Sequence, residues 1–214
     1  MNTPIAMFPE ALQPQPRHGA EAPSEWVRRW SHLLPAGGRA LDVACGAGRH
    51  AHHLAALGMA VTGIDRDAAA LAQARQHWPA QAVHAPTLLQ ADIEGQPWPL
   101  PGQTFDAIVV TNYLCRPLWP SLLAALAPGG VYIHETFAHG NASVGKPSRP
   151  DFLLQPGELL QIGSNLRVVA FEDGFLPHPP RYVQRIVAVR EAPATTPGQP
   201  PARYPLARVG ESIE

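Results

Sequence analysis

Cysteine is nearly missing from this chain, with Cys45 and Cys115 the two among 214 residues. Two cannot form the disulfide framework of a small secreted domain, and no C-x-x-C pair offers a zinc site. Lysine is scarcer still: Lys146 stands alone beside 15 arginines. Alongside abundant alanine and proline, this imbalance reads as codon bias and not as an arginine-rich binding face. Excess charge is missing too. A net charge of −1 gives no electrostatic footprint for nucleic acid or an anionic membrane surface. No apolar run approaches the roughly 20 residues of a membrane-spanning helix. The opening MNTPIAMFPEALQPQP lacks the basic start and unbroken apolar stretch of a signal peptide. A cytoplasmic location and small or neutral partners are therefore expected. Oligomeric state leaves no trace in the composition.

Proline is plentiful and unevenly placed. Pro4, Pro9, Pro14, Pro16 and Pro23 interrupt the amino-terminal end, and Pro193, Pro197, Pro200, Pro201 and Pro205 the carboxyl-terminal end. Proline removes a backbone donor and opposes helix and ladder alike. Residues 1–23 and 191–214 are expected to be tails, flexible at the first end and disordered at the second, around a domain spanning 24–190.

Within that domain strands and helices alternate. Ser24 can cap a helix that puts Trp26, Val27, Trp30, Leu33 and Leu34 on one face. RALDVA (39–44) reads as a buried strand, 49–57 as a helix stopped by Gly58, 60–64 as a strand and 67–77 as a helix. A short strand at 88–91 precedes a Pro-rich loop at 95–102. FDAIVVT (105–111) is a nearly continuous apolar run, as a central parallel strand requires. A helix at 118–127, a Pro128-Gly129-Gly130 turn, a strand at 131–135 and a helix at 156–162 follow. The last strands, 166–172 and 182–190, are joined by DGFLPHPP, too short for a helical crossover, so they pair antiparallel. The expected fold is an α/β three-layer sandwich: a doubly wound, mostly parallel seven-stranded sheet ending in an antiparallel hairpin.

Ligands of open α/β sheets bind beyond the carboxyl ends of the strands at the switch point. Four strand ends there hold unusual residues. In Asp42-Val43-Ala44-Cys45-Gly46-Ala47-Gly48, glycines between strand and helix let a ligand approach the backbone. GAGRHA also satisfies the dinucleotide pattern G-x-G-x-x-A, so a nicotinamide or flavin enzyme stays open. Asp65 closes VTGID, 19 residues after Gly46, where an acid accepts from ribose hydroxyls; Asp67 is the better helix cap, which leaves Asp65 free. Asp92 ends the third strand. Asp42 discriminates between the cofactors. A carboxylate in a buried strand would repel a pyrophosphate and attract a ligand that carries an ammonium and a sulfonium.

ALDVACGAGRH, VTGIDRD, LLQADIE, FDAIVVTNYL and LAPGGVYIHETF, in this order, resemble the signature segments of class I S-adenosylmethionine-dependent methyltransferases. The resemblance covers Arg39–Phe137 and is nearest to small bacterial enzymes of the tellurite-resistance methyltransferase-like branch. It implies that Asp42, Ala44, Gly46 and Gly48 form the pocket for the methionine moiety of S-adenosylmethionine. It places Asp65 with Arg66 at the ribose, Asp92 with the Ile93 backbone at the adenine, and Thr111–Tyr113 nearest the transferable methyl. The implied activity is in-line methyl transfer to a small-molecule nucleophile. A non-catalytic binding module of the same fold is the alternative.

On the acceptor side, Thr136–Gln155 shows no periodicity, and long structureless connections are often functional. It carries His139, Asn141, Lys146, Arg149 and Asp151, expected as part of the acceptor pocket. Asn112, Tyr113 and Arg116 follow the fourth strand at the reaction centre. If the nucleophile arrives protonated, Tyr113, Glu135 and His139 are the candidate bases. His50, His52 and His53 share one helix without a partner carboxylate and read as a packed or solvated face, not a metal site. Both cysteines follow central strands and read as small packed side chains, with a thiol role the lesser alternative.

Overall fold

The structure is a computed structural model that describes residues 22–206, apart from 195, 197 and 199. Most of the amino-terminal tail expected at 1–23, and the end of the carboxyl-terminal one, lie outside the described residues.

Short apolar runs become strands because each must be covered on both faces. The strands are β1 (Arg39–Val43), β2 (Ala60–Asp65), β3 (Thr87–Gln90), β4 (Phe105–Thr111), β5 (Leu126–Phe137), β6 (Arg167–Pro177) and β7 (Pro180–Val189). They form one sheet in the order β3-β2-β1-β4-β5-β7-β6. Pairing is parallel from β3 through β5, then antiparallel for β5 with β7 and β7 with β6. This is the doubly wound sheet with a terminal hairpin that the pattern of elements predicts.

Alternation along each strand divides the core in two. Leu41, Val43, Ile108, Val110 and Tyr132 face one cluster, completed by α4 (Trp119–Ala125) and α5 (Leu159–Ile162). Ala40, Ala107, Val109, Val131 and Ile133 face the other, covered by α1 (Glu25–Trp30) and α2 (Arg49–Ala56). Helix α3 (Ala68–Gln76) packs beside α2. Ser24 caps α1 by accepting from the Val27 amide, as expected, and Trp26 is completely buried. Replacing a buried tryptophan by alanine costs roughly 3–5 kcal/mol, so α1 is a structural part of the sandwich and not a loose cover.

Several boundaries differ from the expectation, each for a local reason. Helix α4 stops at Ala125 because Ala127 precedes Pro128, which disfavours helical backbone. The chain instead extends, and Leu126 pairs with Phe105. Thus 126–130 belongs to β5 and is no isolated turn. Gly157, at φ +71, interrupts the helix expected from 156, which begins only at Leu159. DGFLPHPP is mostly strand: Phe175 pairs with Tyr182 and Pro177 with Pro180, leaving His178–Pro179 as the turn. The 136–155 connection is not structureless. Thr136 and Phe137 extend β5, two 3-10 turns follow, and Ala138 bridges to Leu154.

Candidate functional site

The sheet order reverses between β1 and β4, and two cavities of about 350 and 450 Å³ open over their carboxyl ends. They share Ala44, Asn112 and Tyr113 as a common ridge. Ala44 and Asn112 are also the non-glycine residues with positive φ among the described residues, at +52° and +53°. Such backbone costs roughly 1–3 kcal/mol per residue and persists where surrounding structure over-determines it, commonly at functional sites.

The larger cavity lies over the glycine turn, with Cys45, Gly46, Ala47, His50 and Thr111 in its wall. Gly46 has φ +54, and a methyl built there would meet nothing within 4 Å, so its bare backbone faces open cleft. Gly48 differs from expectation. It lines neither cavity, and a methyl there would come 2.8 Å from the Ala74 Cβ of α3. Its missing side chain serves helix packing. Asp42, in β1 beneath the turn, is 1% exposed, and neither carboxylate oxygen has a hydrogen-bond partner. Burial pushes its pKa up to about 7, although the Ala51 amide and the Arg49 guanidinium pull it back. These two groups offset only part of the cost of burying the charge, and a cation arriving above it would offset more.

The smaller cavity spreads over the ends of β2 and β3, where Asp65, Arg66, Asp92 and Ile93 line it. Asp65 is not free, however. It accepts from the Gly46 amide at 2.7 Å and from the Asp67 amide at 2.9 Å, while Asp67 caps α3. A carboxylate has about four acceptor positions, so two remain. Asp92 accepts from the Glu94 amide at 3.0 Å and fixes the turn after β3.

His50 is committed inside the wall. Its Nε2 accepts from the Ser24 amide at 3.1 Å, so Nδ1 carries the proton and donates to Thr111 Oγ1 at 3.0 Å. Burial lowers its pKa to about 3, which keeps it neutral. His52 reaches the Ala74 carbonyl and His53 the Ser31 hydroxyl, so the three rings diverge. Among the described residues no group of three or more metal-ligating side chains converges. Burial pushes both thiols up, Cys45 most, and a methyl on Gly63 would meet Cys45 Sγ at 2.9 Å; both are packed thiols.

Of the residues expected at the reaction centre, Asn112 and Tyr113 line both cavities, whereas Arg116 lines neither. The Tyr113 hydroxyl is buried without a partner, and burial, with Cys115 and Glu94 beside it, holds it firmly protonated. Glu135 and His139 fall elsewhere. Glu135 points to the opposite face, is 1% exposed and pairs with Arg185 at 3.3 Å, so its carboxylate is committed. His139 is exposed and lines neither cavity. His134, the next inward residue of β5, lies under the centre instead. Its Nε2 donates to the Tyr113 carbonyl at 3.1 Å, and its Nδ1 accepts from the Tyr132 hydroxyl at 2.9 Å. The polar residues singled out beyond Thr136 in the 136–155 segment also miss the cavity. Lys146 is exposed, Arg149 pairs with Asp151 in solvent, and Asn141 is a buried brace. The segment contributes Thr136, Phe137, Pro147 and Phe152.

A doubly wound sheet with this cleft, a glycine turn over a buried acid and acids at the ends of β2 and β3 makes a ligand site at the switch point of the sheet. Residues 40–130 match the family described as Methyltransferase domain. No curated protein matches the chain in sequence. Solved structures do match in fold. TehB from Haemophilus influenzae superposes with a TM-score of 0.57 at 18% identity, over 73% of this chain and 58% of TehB. The chain thus spans little more than half of TehB. The N-methyltransferase NodS from Bradyrhizobium japonicum WM9 gives 0.60 at 18% identity, over 78% of this chain and 93% of NodS. The glycopeptide N-methyltransferase MtfA, complexed with S-adenosyl-L-homocysteine, gives 0.54 at 20%, over 74% of this chain and 85% of MtfA. Among the described residues no helix is long and apolar enough to cross a membrane.

Proposed function

We propose that residues 24–190 form a cytoplasmic enzyme that moves a methyl group from S-adenosylmethionine to a small-molecule nucleophile. When bound, the cofactor supplies a methyl already activated by its sulfonium. The observation that carries the assignment is Asp42, a buried carboxylate lacking a partner beneath an open glycine turn. That charge suits a ligand with an ammonium group and opposes a pyrophosphate. The methionine part belongs over Ala44 and Gly46, the ribose at the free acceptor positions of Asp65 with Arg66 alongside, and the adenine between Asp92 and Ile93. Thr111, tied to neutral His50, walls the methionine side.

The remaining chemistry is alignment. Asn112 and Tyr113 stand where the two cavities join, and the protonated Tyr113 hydroxyl can donate to an acceptor but cannot take its proton. Glu135 is held by Arg185, so the proposed acceptor presents its lone pair without help from that carboxylate. Holding two reactants in line supplies effective molarities of roughly 10⁵–10⁸ M, sufficient for a donor already activated. Calorimetry with S-adenosylhomocysteine and, separately, a nicotinamide dinucleotide tests the reading. Binding of the first alone is expected; binding of the second alone would establish an oxidoreductase instead.

A further inference from the structure

We propose that Arg116 is a specificity-determining positioning residue: it fixes Phe152 beside Pro147 as an apolar wall of the smaller cavity. The acceptor chosen is then one with an apolar or aromatic body next to its nucleophile. This rests on the methyltransferase reading of the site.

Arg116 opens the 3-10 turn that begins three residues after Tyr113. Four of the five N–H groups of its guanidinium are engaged. Nε and Nη2 bind Glu158 Oε1 and Oε2 at 2.5 and 2.8 Å. Nη1 donates to the Asp151 carbonyl and Nη2 also to the Leu153 carbonyl, both at 3.0 Å. These two carbonyls flank Phe152. Glu158 Oε2 accepts in addition from the Gln155 amide at 2.7 Å, so the end of the segment is held by the same carboxylate. Asn141 anchors the other side, donating to the Pro147 carbonyl at 3.0 Å and accepting from the Tyr182 amide at 3.1 Å.

Glu158 is buried and Arg116 half-buried, and burying an ion pair gives little net stability, so energy alone does not explain this arrangement. Geometry does. The planar fork of arginine can grip a carboxylate with one edge while its remaining N–H groups reach two carbonyls; a lysine ammonium cannot span them. What the clamp presents is Phe152, 42% exposed yet held in place at the cavity wall. Arg149 lies over the same ring, its Cζ 5.1 Å from the centroid, and helps to hold it. With Tyr113, Leu114, Phe137 and Pro147, Phe152 makes one side of the cavity predominantly apolar.

The test compares Arg116→Met and Arg116→Lys with the wild type, each saturated with S-adenosylhomocysteine. Amide exchange is followed at Phe152, Leu153 and Leu154, whose N–H groups bond to Arg149, Pro150 and Phe137. Exchange there should quicken by about tenfold or more in Arg116→Met and less in Arg116→Lys, with S-adenosylhomocysteine affinity kept within about threefold. In turnover with benzenethiol and benzylamine as probe acceptors, KM should rise about tenfold while kcat changes little, with partial recovery in Arg116→Lys. Unchanged exchange at the three amides, or affinity and exchange failing together, overturns the proposal. So does a fall in kcat at constant KM. Should the wild type bind no S-adenosylhomocysteine, the methyltransferase reading fails and the proposal with it; should it bind but methylate neither probe, exchange at the three amides decides the clamp by itself.

Discussion

Replacing Asp42 by asparagine should stabilise the free protein and weaken its hold on the cofactor. In the folded chain the pKa of Asp42 stands near 7, against 3.8 for an unperturbed aspartate. At 1.36 kcal/mol per unit, the charge at pH 8 costs on the order of 4 kcal/mol of folding free energy. The raised value means that the folded state holds this proton more tightly than the unfolded one. The side chain therefore imposes no penalty near pH 4, and stability is lost as pH climbs from there to about 7. Asparagine keeps the shape but still buries an amide, so about 1–3 kcal/mol should return at pH 8. Urea unfolding of both proteins at pH 8 and pH 5 reads this directly, with the advantage of the variant shrinking by about half or more at the lower pH. Calorimetry supplies the other arm: S-adenosylhomocysteine should bind the variant about 10–100-fold more weakly, and wild-type affinity should rise with pH through 7. An asparagine variant no more stable than wild type at pH 8, or one with undiminished affinity, would refute the reasoning.

Acid should expose the buried histidines. His50 and His134 have pKa values lowered to about 3 and about 4, so the unfolded chain takes up their protons first and stability falls as pH drops below 6.5. At pH 5 each costs about 2 kcal/mol, while protonation of Asp42 returns about 3 kcal/mol; Asp42→Asn should therefore show a steeper acid loss than wild type. Glycine at position 44 should relieve the strained φ of +52° and raise stability by about 0.5–1 kcal/mol with cofactor affinity kept, measured by thermal unfolding and calorimetry. Asp65→Asn should weaken S-adenosylhomocysteine binding by about 1–3 kcal/mol and speed amide exchange at Gly46, whose N–H it now holds; unchanged affinity would remove the ribose assignment.

The layout of the fold was legible because buried strands need apolar runs. Phe105–Thr111 ends where the run ends, and the link between the last two strands was too short for anything but an antiparallel return. The same reasoning located the cleft, since it follows from strand order alone. Side-chain commitments were not legible, because each is decided by a partner distant in sequence. Glu135 looked like a base until Arg185, 50 positions on, claimed it. His134 was overlooked although it neighbours Glu135, because alternation says that the two face opposite ways but not which one faces the centre. Gly48 reads as a ligand glycine beside Gly46, yet Ala74 of α3 dictates it. Asp65 is expected to be free for ribose hydroxyls, yet it also ties the glycine turn to β2.

Four costly features of the molecule lie close together. Asp42 with two unpartnered oxygens, the unpaired Tyr113 hydroxyl and the positive φ at Ala44 and Asn112 all lie at the ends of β1 and β4, where the sheet order reverses. Each costs folding energy, and together they sit around one ridge between two cavities. A dinucleotide would leave the cost standing, because a pyrophosphate laid on the turn would meet the Asp42 charge with its own. An amino-acid ligand would lower it, since its ammonium group compensates the carboxylate just where the bare Gly46 backbone permits approach. A protein stabilised by the ligand it uses should show this as a rise in melting temperature with S-adenosylhomocysteine that grows between pH 6 and 8, as Asp42 loses its proton. A rise independent of pH across that interval would place the ammonium elsewhere, and with it the seat of the cofactor.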